Sequence, residues 1–114
     1  MIRRLEQVAG LERIRISSIE PTTVTNEVLD LMASSSTLCP YLHIPLQSGD
    51  DEILAAMNRS YSSDEYRDLI ERALCKIPNL GLGTDIMVGF PGEDDDAFAR
   101  TLRLATDLPF AYFH

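Results

Sequence analysis

Strand-like and helix-like segments alternate along the whole chain, and that order constrains its fold more than any other feature. Strand character begins near residues 13, 41, 80 and 110, and each interval between carries helical periodicity. Strands joined through helices run parallel, with right-handed crossovers, and a parallel sheet needs helices over its apolar faces. The expected class is α/β, built of parallel βα units.

Local signals mark the elements. Ile2, Leu5 and Val8 recur at helical spacing over residues 2–9, and Gly10 is a stop. Residues 13–19 alternate as a strand, ended by Pro21. Thr25 can cap a helix with Val28, Leu31 and Met32 in one stripe. A second strand is expected over Tyr41–Ser48, then a short helix carrying Ile53, Leu54 and Met57. Ser62-Ser-Asp-Glu65 has the form of a capping box. It opens a helix with Tyr66, Leu69, Ile70, Ala73 and Leu74 on one face, closed by Pro78. A third strand, Leu80–Gly89, runs into the turn Phe90-Pro-Gly-Glu93. Asp94-Asp-Asp96 suits the positive end of a helix dipole, and Phe98, Leu102 and Ala105 line that helix. Phe110–His114 begins a fourth strand.

Parity then separates two faces, because successive strand side chains point opposite ways. Leu42, Ile44 and Leu46 share one face with Leu82, Thr84, Ile86 and Val88 of the third strand. The other face carries Arg15, Ser17, His43, Gln47 and Asp85. A closed TIM barrel fills its interior with branched apolar side chains, and these polar groups are costly to bury unpaired. A wider or open barrel holding a polar ligand explains them; so does a doubly wound sheet whose polar groups pair with one another.

Composition narrows the partners. The chain has 114 residues, 45% hydrophobic and 25% charged, enough for one domain or part of a larger one. Its net charge of −8 argues against a phosphate-gripping surface within this stretch. The two cysteines, Cys39 and Cys75, form no Cys-x-x-Cys pattern and fit a reducing, cytoplasmic setting. No apolar run approaches a membrane span, so no membrane partner is expected. Because both ends look cut and the sheet edges are open, self-association through those edges is expected.

Several residues are candidates for chemistry. Gln47 and Ser48 end the second strand with an amide and a hydroxyl that both donate and accept hydrogen bonds. Ser48 could equally be a helix cap. Gly89 opens a tight strand-to-helix turn that permits backbone approach to a ligand. Asp85, in mid-strand, is either a ligand contact or half of an ion pair with Arg15 or Arg59. Arg59 could clamp a carboxylate, and Glu20 could hold an amine. His43 and His114 lack metal-ligand spacing. No residue is singled out as catalytic or as a metal ligand.

Four blocks resemble the radical S-adenosylmethionine (SAM) methylthiotransferases in order and spacing. They are Arg13-Ile-Arg-Ile-Ser-Ser-Ile-Glu-Pro21, Leu42-His-Ile-Pro-Leu-Gln-Ser-Gly-Asp50, Met57-Asn-Arg59 and Thr84-Asp-Ile-Met-Val-Gly-Phe-Pro-Gly-Glu93. Within that family, Ser17-Ser-Ile-Glu-Pro21 and Ala111-Tyr-Phe-His114 look most like the branch acting on N6-threonylcarbamoyladenosine in tRNA. The resemblance implies a (β/α)6 partial TIM barrel, with residues 1–114 forming part of the radical SAM core. It implies SAM and 4Fe-4S clusters as cofactors of a longer protein, and tRNA as its substrate. By motif position, Gln47, Ser48, Arg59 and Asp85 would line the SAM site, Ser18 or Glu20 would join them, and the turn from Gly89 would approach the cofactor. The family's Cys-x3-Cys-x2-Cys motif, its N-terminal domain and its RNA-binding domain are not present in these residues. The chain alone is therefore expected to bind neither cofactor nor tRNA and to be inactive.

Overall fold

The computed structural model describes residues 1–114. Its order is α1 (Ile2–Leu5), a 3₁₀ turn (Pro21–Thr23), α2 (Asn26–Ser34), β1 (Tyr41–His43), α3 (Asp51–Ala56), α4 (Ser63–Lys76), β2 (Gly81–Thr84), α5 (Asp95–Asp107) and β3 (Tyr112–Phe113). The three strands form one parallel sheet in the order β1-β2-β3. The expected first strand is reduced to one parallel bridge, Ile14 to Leu38, beside β1. The radius of gyration, 15.4 Å, exceeds the roughly 13 Å of a closed domain this long. The extents of 52 × 24 × 22 Å describe an open, elongated sheet segment.

The core lies on the face that parity assigned to it. Leu42, Ile44, Leu46, Leu82 and Thr84 are buried beneath Leu29 and Met32 of α2, Leu54 of α3, and Tyr66, Leu69, Ile70 and Ala73 of α4. In α2 the fully buried residue is Leu29, while Val28 and Leu31 sit at the edge of the core. The box at Ser62 and Glu65 forms in both directions, and Thr25, Asp50 and Asp94 each cap a helix through the side chain.

The long second strand is interrupted after His43, and its polar backbone groups are taken up elsewhere. Ile44 N–H still donates to Gly83 C=O (3.0 Å), but the next ladder bond runs from Gln47 N–H to Asp85 C=O (2.8 Å). Two residues, Pro45 and Leu46, stand where a regular ladder has one, which makes a β-bulge. Pro45 has no N–H to give. Leu46 N–H turns instead to Thr84 Oγ1 (2.9 Å), and the same hydroxyl donates to Ile44 C=O (2.9 Å). Tyr66 Oη donates to Ile44 C=O (2.7 Å), and Tyr61 Oη reaches the carbonyls of Pro45 (3.1 Å) and Leu46 (3.0 Å). Burial raises the pKa of Tyr61 and raises that of Tyr66 much further, so both remain donors.

Helix α5 turns a different side to the core than its large apolar residues suggest. Ala97, Thr101 and Leu104 are buried, whereas Phe98 and Leu102 are exposed. Thr101 Oγ1 accepts from Gly49 N–H (2.8 Å) and lies 3.2 Å from Ser48 Oγ. The helix is drawn so close that a Cβ on Gly49 would stand 2.7 Å from Thr101 Cα. Phe98, Leu102 and Ala105 instead line an apolar groove with Ile86, Val88 and Phe113.

Two consequences can be measured. Thr84→Val should cost about 1–3 kcal/mol in urea unfolding, because it leaves the buried Leu46 N–H without an acceptor. Asp50 sits at the cap of α3 and pairs with Arg100 Nε (2.6 Å). Desolvation pushes its pKa up, but the Ile53 N–H and Arg100 outweigh it, so the folded pKa is depressed. The stability from Asp50 is therefore present above the unfolded carboxylate pKa of about 3.9 and lost as pH falls through the lower folded value. Urea midpoints compared above pH 5 and below pH 3 should fall less for Asp50→Asn than for the parent chain.

Candidate functional site

The polar face closes into a cavity of about 300 Å³ lined by Arg15, Ser17, Ser18, Tyr41, His43, Asp85, Tyr112 and His114. It runs along the strands to their carboxyl ends: Tyr41 and Tyr112 begin β1 and β3, His43 ends β1, Asp85 follows β2 and His114 follows β3. Ligand sites of α/β sheets gather at that edge.

The side chains form one connected network. His43 Nε2 meets Asp85 Oδ1 at 3.0 Å, and His114 Nδ1 meets the same oxygen at 3.3 Å. Tyr112 Oη lies 3.2 Å from His43 Nδ1 and contacts Tyr41 Oη. The Tyr41 and Tyr112 rings are stacked at 6.3 Å, and the Arg15 guanidinium sits 3.9 Å from the Tyr41 centroid, a cation–π contact. His43 is only 6% exposed, so its hydrogen bonds are made away from solvent. Neither ion pair expected for Asp85, with Arg15 or with Arg59, forms; the two histidines take that place. Both of these contacts fall on Oδ1.

A missing side chain makes the network possible. Gly83 occupies the same face of β2, between His43 and Tyr112. A Cβ there would stand 2.7 Å from Tyr112 Cζ and 2.9 Å from His43 Nδ1. The side chains of β1 and β3 meet over the hollow that glycine leaves. Parity placed His43 on this face, but the roles of Tyr41, Tyr112 and Gly83 were missed. The signal was present: Tyr41 shares parity with His43, and Tyr112 with His114.

The other expected site residues separate into three environments. Ser18 is exposed and lines the cavity. Arg59 Nη1 pairs with Glu20 Oε1 at 3.3 Å, while Arg59 Nε is buried without any hydrogen-bond partner. Gln47 does not line the cavity of Asp85. The bulge shifts the register by one, so that Gln47 pairs with Ile86, and its φ is +70°. Ser48 is fully buried and its hydroxyl is engaged by Thr101 and the Asp50 N–H, so it serves the strand-to-helix turn. Gly89 has φ +71° with open space beside it, and its N–H donates to Glu93 Oε1 at 2.7 Å. The positive φ favours glycine there.

Gly83→Ala should push Tyr112 away from His43. Loss of the nuclear Overhauser contacts between the two rings would report it, with a stability cost of about 1–3 kcal/mol in urea unfolding.

Comparison with known proteins places this geometry in context. The family model described as the radical SAM superfamily matches residues 1–105. A tRNA-2-methylthio-N(6)-dimethylallyladenosine synthase of Leifsonia xyli subsp. xyli is 44% identical over 111 residues, 97% of this chain and 21% of the relative. The protein of the same name from Mycolicibacterium gilvum is 46% identical over 97% of this chain and 22% of its own length. That from Tropheryma whipplei is 43% identical, over 97% and 24%. The chain thus spans about a fifth of the length of the curated relatives it matches. With a parallel βα sheet, a polar cavity at the strand ends and a family match over nearly all of its length, this chain belongs to the radical SAM superfamily.

Proposed function

We propose that this chain is part of the core of a methylthiotransferase that modifies adenosine in tRNA by radical SAM chemistry. The observation that carries the reading is the polar cavity around Asp85, set at the strand ends of a chain whose relatives are named tRNA methylthio-adenosine synthases. Their names supply the reaction class, and the cavity supplies a place for a polar ligand.

The residues suit SAM better than they suit an iron–sulfur cluster. Arg59 Nε is a buried donor in need of an acceptor, and burial without a partner costs about 1–3 kcal/mol. A ligand carboxylate would satisfy it, with the exposed Glu20 carboxylate beside it to take an ammonium group. Ser18 and Asp85 would face the rest of the ligand. Gln47, beside Asp85 through the backbone, and Gly89, at the following turn, remain candidates at the rim. Ser48 would act from behind them by holding the turn. When bound, SAM supplies the radical precursor and the methyl group. His43, His114 and Asp85 meet through their own hydrogen bonds, and no group of three His, Cys, Asp or Glu side chains is arranged to hold a metal ion. Cys39 is half-buried and Cys75 exposed, both free, so no step through a cluster is assigned to these residues. The tRNA grip is assigned to other parts of the full-length protein, given the net charge of −8 here. No helix is long and apolar enough to cross a membrane, and a cytoplasmic location goes with the tRNA substrate. Self-association of the chain would use the open edges of its parallel sheet.

Two substrates are distinguished by the N6 group of the adenosine. The blocks Ser17-Ser-Ile-Glu-Pro21 and Ala111-Tyr-Phe-His114 support threonylcarbamoyladenosine. The names of the relatives favour dimethylallyladenosine instead. Nucleoside mass spectrometry of tRNA from a strain lacking the gene should show loss of the 2-methylthio group on one of these two nucleosides. Unchanged levels of both would refute the proposal. In the full-length protein, Arg59→Ala should weaken SAM binding about tenfold or more, as expected for loss of a charged hydrogen bond.

A further inference from the structure

Asp85 has two oxygens in unequal surroundings. Oδ1 receives both imidazoles, His43 at 3.0 Å and His114 at 3.3 Å. Oδ2 has no charged partner, and the side chain is one-third exposed, at 34%. His43, by contrast, is closed in: it lies above Gly83, between β1 and β3, with Tyr112 Oη at its other nitrogen. A carboxylate accepts and a phenol can donate. The consistent assignment is that Nε2–H donates to Asp85 and Nδ1 accepts from Tyr112, whose oxygen accepts in turn from Tyr41 Oη. Such a second partner fixes both ring tautomer and orientation.

We infer that His43 is a positioning residue: braced by Tyr112 over Gly83, it anchors Asp85 through Oδ1 so that Oδ2 is the oxygen offered to a hydroxyl or ammonium donor of the bound ligand. This rests on the reading that Asp85 faces the ligand. Both ring nitrogens of His43 are already engaged, so its polar effect on the ligand runs through Asp85. Its effect is to cancel the rotation of the Asp85 carboxylate that binding would otherwise have to freeze, a preorganisation gain. Gly83 belongs to the same device, since any side chain there would part His43 from Tyr112.

The test has two arms. In the first, long-range 1H–15N spectra of the full-length protein labelled with 15N-histidine, at pH 8 and assigned by loss of the signal in His43→Gln, should show His43 mainly as the Nε2–H tautomer. Asp85→Asn should reduce that excess, and Tyr112→Phe should move the Nδ1 resonance. A dominant Nδ1–H tautomer in the parent chain overturns the inference and leaves the functional reading intact. In the second arm, SAM affinity is measured in the full-length protein. His43→Ala should weaken binding about tenfold, and Asp85→Ala at least as much. His43→Gln, which keeps an N–H for Asp85, should recover part of the loss, as general disturbance of the fold would not. Parent-like affinity in His43→Ala beside a weakened Asp85→Ala overturns the inference alone. Parent-like affinity in both, with the Nε2–H tautomer present, removes Asp85 from the ligand site and the positioning role with it.

Discussion

The bulge at Pro45–Leu46 is the point on which the arrangement turns. The bulge accommodates proline rather than being forced by it, because Ile44 and Gln47 supply the N–H groups that reach β2 and residue 45 supplies none. Left alone, it would strand one buried amide and three carbonyls in the core. Thr84, Tyr61 and Tyr66 take up all four from the helix side. Because each of these bonds is buried, the strand leaves the bulge on a fixed path. The turn into α3 follows directly, and there Gly49 and Asp50 are held by Thr101 and Arg100 of α5. A single kink thereby sets the spacing between the second βα unit and the last helix.

The two faces of the sheet were legible because burial of one face imposes strict alternation, and Leu42, Ile44, Leu82 and Thr84 obey it. Helix caps at Thr25 and Ser62 were equally plain, since their side chains act on neighbours three residues away; at the start of α3 the cap is Asp50 rather than Ser48. What alternation could not carry is an inserted residue. Beyond Pro45 the count slips by one, and Gln47 leaves the register that put it beside His43. Helix α5 failed for a different reason: the stripe expected from Phe98 and Leu102 faces outward, while Leu104 is buried, because small Ala97 and Thr101 permit close contact with Gly49. Size and hydropathy pointed one way, and backbone approach required the other.

The candidate site shows the same division. Asp85 was identifiable as a carboxylate in mid-strand, a position where an unpaired charge is costly. Its partners were not, since a histidine on a neighbouring strand carries no fixed sequence spacing. Ser48 illustrates the converse. Its hydroxyl follows a strand and precedes a helix, a pattern shared by ligand sites and by caps, and full burial with Thr101 assigns it to the turn.

Gly83 has one more implication. The central strand contributes no side chain at the level where its two neighbours touch, so β1 and β3 are mechanically joined without passing through β2. A push on Tyr112 from outside arrives at His43 and Asp85 within two contacts. Whatever packs against β3 therefore bears on the aim of His43 on β1, and the absence of a methyl group on Gly83 is what opens that route.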